Sequence, residues 1–519
     1  MTASPRLVVL CIDGGLPGTV ATWNFFSPHR RLPGVPDSGA RALRSIFPSS
    51  TAPAHASFLT GTHPDVHGIV GNRFWTDESV KEIRDRASNP VLTLHPYETD
   101  SLRAPSLLEW FADQGLRSAA VHFPHTFSRH RPVPAVSSLY CLYAPSRSVQ
   151  GSVTGNGSAF TTPLAYFDET VELTVRMPTS HYERALSASL GHGGTEIAIP
   201  LDGSAVRMEA TIRSGHLSLS IACTSIDDGR VDLKIGTAVL TLSFGAIATR
   251  KGHGESGPGP ASLTSEYTAN PDHDFHEAPN AEWICRTALD VIANDEPDVL
   301  FLRFNQADHA QELLYWHAAR ANRKEAALAR DQILGVYQTI DAYVSQIMRA
   351  VGPKADYVLF SDHGIDYVET QLHPNSVLRE LDLAGKMIFQ GDSNIAYLYA
   401  DEPLRAPDRD RILAALSAAD PTVRPASSSA RVRLPLASGR TGELAIVCGP
   451  HREFDYAESG SPRLAVRSAS HGHVPTDPAM NGFFRMFGPG TDGLDAPDAL
   501  TGAADLIKRL WLRRWGPAR

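Results

Sequence analysis

Cysteine and long apolar runs are both scarce in this chain of 519 residues. Its five cysteines are scattered, with no Cys-x-x-Cys pair, which argues against a disulfide framework and for reduced thiols. No apolar run approaches the roughly 18 residues of a membrane-spanning helix. The first such run, Leu7 to Ile12, is too short for a secretory signal. We therefore expect a cytoplasmic protein with no membrane partner.

The chain also has no excess of basic residues. The 48 lysines and arginines are outnumbered by 57 acidic residues, which gives a net charge of −9. A nucleic-acid-binding protein usually presents a basic face, so we expect no nucleic-acid partner. A small phosphorylated substrate stays compatible with this charge, because a metal site dominates the electric field close to it. The oligomeric state is unknown from the sequence.

Three apolar, β-branched segments are each followed closely by aspartate. Leu7 to Ile12 precedes Asp13, the segment 298–304 precedes Asp308, and the segment 357–360 precedes Asp362. Continuous apolar runs are typical of buried parallel strands. Helical patterns between them predict an α/β fold, a doubly wound and mostly parallel central sheet flanked by helices. The predicted helices cover 104–114, 282–294 and 323–351.

Two stretches interrupt this α/β pattern. Residues 146–268 predict a β-rich insertion that ends in a Gly- and Pro-rich loop at 251–260. Residues 386–464 predict a smaller α+β insertion or cap, with a hairpin over 430–448. The core would then consist of three parts, 1–145, 269–385 and 465–519.

Thr51 stands just before a predicted helix, with Pro53 in its first turn and Gly61 at its end. Free backbone N–H groups at a helix start bind anions. A plain capping role would explain Thr51 equally well if it stood alone. Five further side chains lie at predicted strand ends or in Gly-containing loops and could ligate cations: Asp13, Asp308, Asp362, His363 and His471. Together with Thr51 they favour a metal-assisted hydrolase site.

The order and the amino-acid sequences of these motifs are specific to one family. The matching pieces are residues 9–15 (VLCIDGG), 47–55 (FPSSTAPAH), 58–72 (FLTGTHPDVHGIVGN), 361–364 (SDHG) and 470–472 (SHG). The chain resembles the alkaline phosphatase superfamily, and within it the type I phosphodiesterase/nucleotide pyrophosphatase family. The resemblance spans nearly the whole chain outside the two insertions.

This resemblance implies a nucleophile and two divalent cations. Thr51 would become transiently phosphorylated. The first cation would be held by Asp13, Asp362 and His363 and would also contact Thr51. The second would be held by Asp308, residue 312 and His471. Zinc is the metal that the resemblance implies.

Residue 312 departs from the family pattern, which has Asp-x-x-x-His at this point. Here Glu312 takes the place of the histidine. A carboxylate is a harder ligand, so Mn²⁺, Mg²⁺ or Fe become alternatives to zinc. His309 could ligate instead, or the second cation could be weakly bound or absent.

The resemblance makes phosphodiesters or nucleotide pyrophosphates the first substrate class. A phosphomonoesterase or phosphonate hydrolase is the alternative, and a specialised transferase or a non-hydrolytic binder of a phosphorylated ligand is a further one. Four side chains are candidate substrate contacts: Asn72, His125, Arg129 and Asn305. Asn72 would fill the place of the family's asparagine that binds a phosphoryl oxygen.

Overall fold

The computed structural model describes most of the chain in two compact units. The described residues are 4–29, 31–87, 95–144, 147–166, 169–179, 184–191, 195–212, 215–236, 238–246, 281–427, 429, 432–436, 439–474 and 478–516. The first unit combines residues 1–88, 93–138 and 284–519, and the second combines 89–92 with 139–283. The predicted loop at 251–260 lies outside the described residues.

Strands and helices alternate along the first unit, whereas the described residues of the second form mainly strands. In chain order the strands are β1 Leu7–Ile12, β2 Arg41–Leu43, β3 Ser118–Val121, β4 Val136–Ala144, β5 Arg147–Ser152, β6 Ala159–Tyr166, β7 Glu169–Arg176, β8 Ala185–Leu190, β9 Ile197–Pro200, β10 Val206–Ile212, β11 Gly215–Asp227, β12 Arg230–Ile235, β13 Ala238–Phe244, β14 Val299–Phe304, β15 Asp356–Phe360, β16 Asp366–Leu372, β17 Met387–Gly391, β18 Ile395–Ala400, β19 Arg424–Pro425, β20 Leu444–Val447, β21 Arg452–Phe454, β22 Arg463–Ser470 and β23 Gly482–Phe487. The helices are α1 Pro17–Trp23, α2 Thr51–Thr60, α3 Pro64–His67, α4 Val80–Ala87, α5 Leu107–Asp113, α6 Ala281–Asn294, α7 Gln306–Arg320, α8 Arg323–Val351, α9 Pro374–Glu380, α10 Ala406–Ala419 and α11 Ala503–Trp515.

The main sheet of the first unit has the strand order β2-β23-β15-β1-β14-β3. β1 lies between β15 and β14 and pairs in parallel with both. β14 pairs in parallel with β3, whereas β23 runs antiparallel to β15 and to β2. The predicted α/β fold with a mostly parallel central sheet is therefore confirmed.

Helices cover both faces of this sheet, which explains why its central strands are mostly apolar. On one face Val9 and Phe360 join a core with Phe58 of α2, Phe111 of α5 and the apolar residues of α11. On the other face the Tyr357 hydroxyl donates to a backbone carbonyl of α8. Every residue of β1, β14 and β15 is buried. With both faces packed, only the strand ends remain for polar chemistry.

Two smaller sheets complete the first unit, with the orders β21-β16-β22 and β17-β18-β20-β19. The predicted hairpin over 430–448 is wrong. β20 pairs with β18 and β19, and the described residues 432–436 form no strand. The buried strand β18 offers a free edge to β20, and this long-range pairing replaces the local one.

The second unit is a β structure. Its strands form one set with the order β4-β13-β11-β12-β5, with β10 also on β11, and a separate sheet with the order β6-β7-β8-β9. The boundaries at 145, 268, 385 and 464 stay predictions. Across the described ranges, no helix has both the length and the apolar composition needed to cross a bilayer.

Candidate metal and phosphoryl-transfer site

The sheet order brings three acidic motifs to one edge. Asp13 follows β1, and Asp362 with His363 follows β15 on one side of it. Asp308 lies in the first turn of α7, just after β14 on the other side. Because all three strands run in parallel, their carboxyl ends meet at the same edge of the sheet.

Thr51 is the first residue of α2, and the extended residue Ser50 precedes it as the N-cap. The side chain is 3% exposed, and its Oγ1 lies 3.4 Å from Nε2 of His363. The helix start directs its free N–H groups and positive dipole end toward the same place. Thr51 therefore combines a hydroxyl with a helix terminus that favours negative charge.

Asp13, Asp362 and His363 form the first candidate cation group, with ligand atoms within 4.8 Å of one another. His363 Nε2 lies 3.3 Å from Asp13 Oδ1 and 3.5 Å from Asp362 Oδ2. Its Nδ1 donates to the carbonyl oxygen of Gly364 at 3.0 Å, which leaves Nε2 as the ligating nitrogen. The two carboxylate oxygens that face His363 are buried and accept no hydrogen bond.

Asp308, His363 and His471 form the second candidate group, again within 4.8 Å. His471 Nδ1 donates to the carbonyl of Ser49 at 3.2 Å, so its Nε2 is free to ligate. The His363 and His471 rings stack at 3.9 Å between centroids. Asp308 Oδ1 is buried and lacks a hydrogen-bond partner.

Glu312 lies one helical turn after Asp308 on α7, which places both carboxylates on one face of the helix. Its Oε1 is 3.8 Å from His471 Nε2. The side chain is 43% exposed, in contrast to the buried Asp308. Glu312 therefore lies at the solvent-facing side of the second group.

The charges of this site are unbalanced without cations. Burial raises the pKa of Asp308 well above its usual range, and the charges of Glu312, Asp13 and Asp362 raise it further. Burial and the charge of Asp13 likewise raise the pKa of Asp362. Carboxylate oxygens without a hydrogen-bond partner, beside imidazoles whose Nδ1 atoms bind backbone carbonyls, are a donor set that suits divalent cations. The residues therefore fit the metals that the family implies.

Asp13 differs from the other carboxylates because a buried guanidinium pairs with it. Arg303 Nε donates to Asp13 Oδ2 at 2.8 Å, and Nη2 donates to the same oxygen. Burial alone would raise the pKa of Asp13, but Arg303 and His363 hold it below its ordinary value. Arg303 is not among the site residues predicted from the sequence. A signal was present, because an arginine interrupts the otherwise apolar strand β14.

Asn72 reaches the first turn of α2. Its Oδ1 accepts a hydrogen bond from the backbone N–H of Ala52 at 2.8 Å. Its own backbone N–H donates to Asp392 Oδ1 at 2.8 Å. The side-chain amide of Asn72 is thereby fixed at the residue that follows Thr51. Asp392 is a second residue that the sequence analysis missed, and it carries no local signal.

The other three candidate substrate contacts are engaged with the protein. The ring nitrogens of His125 face the carbonyl oxygens of Ala52 at 2.9 Å and of Glu98 at 3.3 Å. Arg129 binds the Glu98 carboxylate at 2.8 and 3.2 Å. Asn305 is the N-cap residue of α7, and its Oδ1 accepts from Gln306. Their contacts with substrate stay predictions.

An α/β sheet whose strand ends gather a buried threonine and two candidate cation groups defines a hydrolase of the alkaline-phosphatase type. The chain belongs to the family described as type I phosphodiesterase / nucleotide pyrophosphatase, whose model matches residues 7–473. It is an enzyme of a metal-dependent family of phosphoric ester hydrolases. The predicted family is thus confirmed.

Comparisons with individual proteins agree with this assignment. Murine ectonucleotide pyrophosphatase / phosphodiesterase 5 has a similar fold, with a TM-score of 0.53 at 12% identity over 97% of this chain and 94% of that chain. An inactive variant of the same murine protein, solved in complex with AMP, gives a TM-score of 0.52 at 12% identity, over 98% and 94% of the two chains. Venom phosphodiesterase of Macrovipera lebetinus is 28% identical over 69 residues, which are 13% of this chain and 8% of that protein.

Proposed function

We propose that the protein hydrolyses phosphodiester or nucleotide pyrophosphate bonds, with Thr51 as the nucleophile and two divalent cations as cofactors. The observation that carries the proposal is the 3.4 Å approach of Thr51 Oγ1 to His363 Nε2, because His363 belongs to both candidate cation groups. A capping threonine has no need of such a neighbour.

The cations would be held by Asp13, Asp362 and His363 and by Asp308, Glu312 and His471. When bound, they would favour the deprotonated Thr51 hydroxyl and neutralise the phosphoryl oxygens. Zinc is expected from the family, and the hard Glu312 carboxylate makes Mn²⁺, Mg²⁺ or Fe the alternatives.

The protein's own groups then perform the transfer. Thr51 Oγ1 loses its proton to water and attacks phosphorus, the bond from phosphorus to the leaving-group oxygen breaks, and that oxygen takes up a proton from water. The N-terminus of α2 stabilises the alkoxide and the phosphoryl charge. Water then attacks the phosphothreonine, which releases the phosphate product and restores the Thr51 hydroxyl. Each half of the reaction inverts phosphorus once.

Asn72 supplies the phosphate-positioning donor. Its carbonyl oxygen is occupied by the Ala52 N–H, so the NH₂ group is left to donate to a phosphoryl oxygen. A nucleotide phosphate is the first substrate to test, since a similar fold was solved with AMP. A monoester or phosphonate preference would replace the diester assignment within the same site.

The test is a metal-reconstituted screen with bis-p-nitrophenyl phosphate, a nucleotide pyrophosphate, p-nitrophenyl phosphate and a phosphonate. Thr51→Ala should abolish turnover of every substrate that the wild type accepts, and mass spectrometry should detect a transient phosphothreonine in the wild type. Thr60→Ala is the matched control in the same helix, because its hydroxyl contacts only local groups among the described residues, the carbonyl of Ala56 and the hydroxyl and backbone N–H of Thr62. Undiminished metal-dependent turnover by Thr51→Ala would refute the proposal.

A further inference from the structure

Asp392 lies in the turn between β17 and β18, far in sequence from the nucleophile helix, yet its side chain contacts Asn72, which in turn contacts that helix. Asp392 Oδ1 accepts the backbone N–H of Asn72 at 2.8 Å. Asn72 Oδ1 in turn accepts the backbone N–H of Ala52 at 2.8 Å. Two hydrogen bonds therefore connect Asp392 to the residue that follows Thr51.

The turn that carries Asp392 is itself fixed. The Asp392 backbone N–H donates to the carbonyl of Ile395 at 2.9 Å, and the Tyr456 hydroxyl donates to the Asp392 carbonyl at 2.7 Å. Only 7% of Asp392 is exposed. A carboxylate held this way can fix the backbone of Asn72 without moving itself.

Gly71 allows the contact to form. A Cβ atom at position 71 would lie 3.1 to 3.3 Å from the Asp392 carboxyl group. That is tighter than nine in ten real contacts of this kind, so a side chain at position 71 would require the carboxylate to shift by a few tenths of an ångström. The Asp392 carboxylate thus lies against the backbone of Gly71 and Asn72.

We infer that Asp392 is a positioning residue, which holds Asn72 so that its NH₂ group faces the phosphoryl group at Thr51. The inference rests on the proposed function. A hydrogen bond to an ionised carboxylate is about twice as strong as one between neutral groups, so this bond restrains Asn72 more firmly than a neutral acceptor would. Asp392 itself touches no reacting atom.

A merely structural role would anchor the β17–β18 turn and leave catalysis alone. The two roles differ in how the effects of Asp392 and Asn72 combine. If Asp392 acts through Asn72, its loss matters only while Asn72 is present. If it only anchors the turn, its loss has the same effect with or without the Asn72 side chain.

The experiment is a double-mutant cycle on the metal-loaded enzyme with bis-p-nitrophenyl phosphate. Asp392→Ala should lower kcat/KM about tenfold to a hundredfold in the wild type, and less than about twofold in the Asn72→Ala background. Asp392→Asn keeps the shape and should lower kcat/KM by a smaller factor. Equal factors in the two backgrounds would overturn the inference, as would wild-type kcat/KM in both Asp392 variants.

Two further measurements distinguish the positioning role of Asp392 from a general loss of stability and from failure of the proposed function. Asp420→Asn is the control, because Asp420 is a buried carboxylate that pairs with Thr422, Arg452 and Arg463 rather than with Asn72. It should change the melting temperature and leave kcat/KM within twofold. Calorimetric binding of AMP gives the same cycle without turnover. If the wild type hydrolyses nothing, the proposed function fails, and the additivity of the AMP affinities still decides the role of Asp392.

Discussion

Arg303 and Asp13 form a buried ion pair at the centre of the cation site, with Nε 2.8 Å from Oδ2. Only one oxygen of Asp13, Oδ1, is left to face His363. Arg303 thereby supplies a fixed positive charge among carboxylates that otherwise lack one. It keeps Asp13 ionised and limits it to one ligating oxygen.

Replacing Arg303 should destabilise the metal-free protein more than the metal-loaded protein. Arg303→Gln breaks a buried ion pair, for which we expect a loss of about 3 to 5 kcal/mol in the free energy of unfolding. Added Zn²⁺ or Mn²⁺ should restore more of the melting temperature in this variant than it adds to the wild type, because a cation replaces the missing charge. Thermal melts in chelator and in metal measure both effects.

Arg485→Gln is the matched control for this prediction. Arg485 is a buried arginine that pairs with Asp37, at 3.0 and 2.6 Å, outside the cation groups. Its replacement should cost a similar amount of stability without any recovery in metal. Equal recovery in the two variants would contradict the assigned role of Arg303.

Glu312 should set the metal preference of the second group. An imidazole is a softer ligand than a carboxylate, so Glu312→His should raise the ratio of bound zinc to bound manganese when both are offered at equal concentration. Elemental analysis after dialysis measures this ratio. The same change at the exposed Glu380 should leave it unaltered. An unchanged ratio in Glu312→His would mean that Glu312 does not ligate.

Gly14 should tolerate no side chain. Its φ is +64°, and a Cβ atom would lie 2.8 to 2.9 Å from the backbone and side chain of Asp308. Gly14→Ala should therefore cost about 2 to 4 kcal/mol of stability, from the left-handed backbone and the overpacking together. It should also weaken metal binding at the second group, measured as metal content per chain. Gly18→Ala, with open space around its Cβ, should do neither.

Glu453 should give stability a measurable pH dependence. Burial raises its pKa to about 7, despite a hydrogen bond from Gln371 that lowers it. Between an unfolded pKa of 4.5 and this value, the folded chain binds more protons than the unfolded chain, so this group makes stability fall as pH rises. Glu453→Gln cannot titrate and should gain up to roughly 3 kcal/mol relative to the wild type across that window.

Denaturant unfolding in chelator from pH 4 to pH 8 measures this difference. Gln371→Ala should extend the window to higher pH, because it removes the hydrogen bond that favours the charged form. Parallel stability curves for the wild type and Glu453→Gln would contradict the prediction.

Patterns in the sequence predicted the strands and helices whose formation depends on neighbouring residues. The apolar runs gave β1 and β14 with little error, and the helical spacing gave α8 over Arg323–Val351. The short helix that begins at Thr51 is predicted by Pro53 in its first turn and Gly61 at its end. The helix α7 was not predicted, because its polar residues face the site and blur the apolar period. β20 was mispaired, because a pairing partner distant in sequence leaves no trace in the local pattern.

The sequence by itself determined the order of the site motifs along the chain. They are aspartates at strand ends, a threonine at a helix start, and histidines in the second half of the chain. Continuous apolar runs force these polar residues to the strand ends, whatever the strand order. Only the tertiary structure decided that β1 lies between β14 and β15, which brings Asp13, Asp308 and Asp362 together. It alone placed Arg303 on Asp13 and Asp392 on Asn72. The reason is physical, since these contacts depend on packing between elements that are hundreds of residues apart.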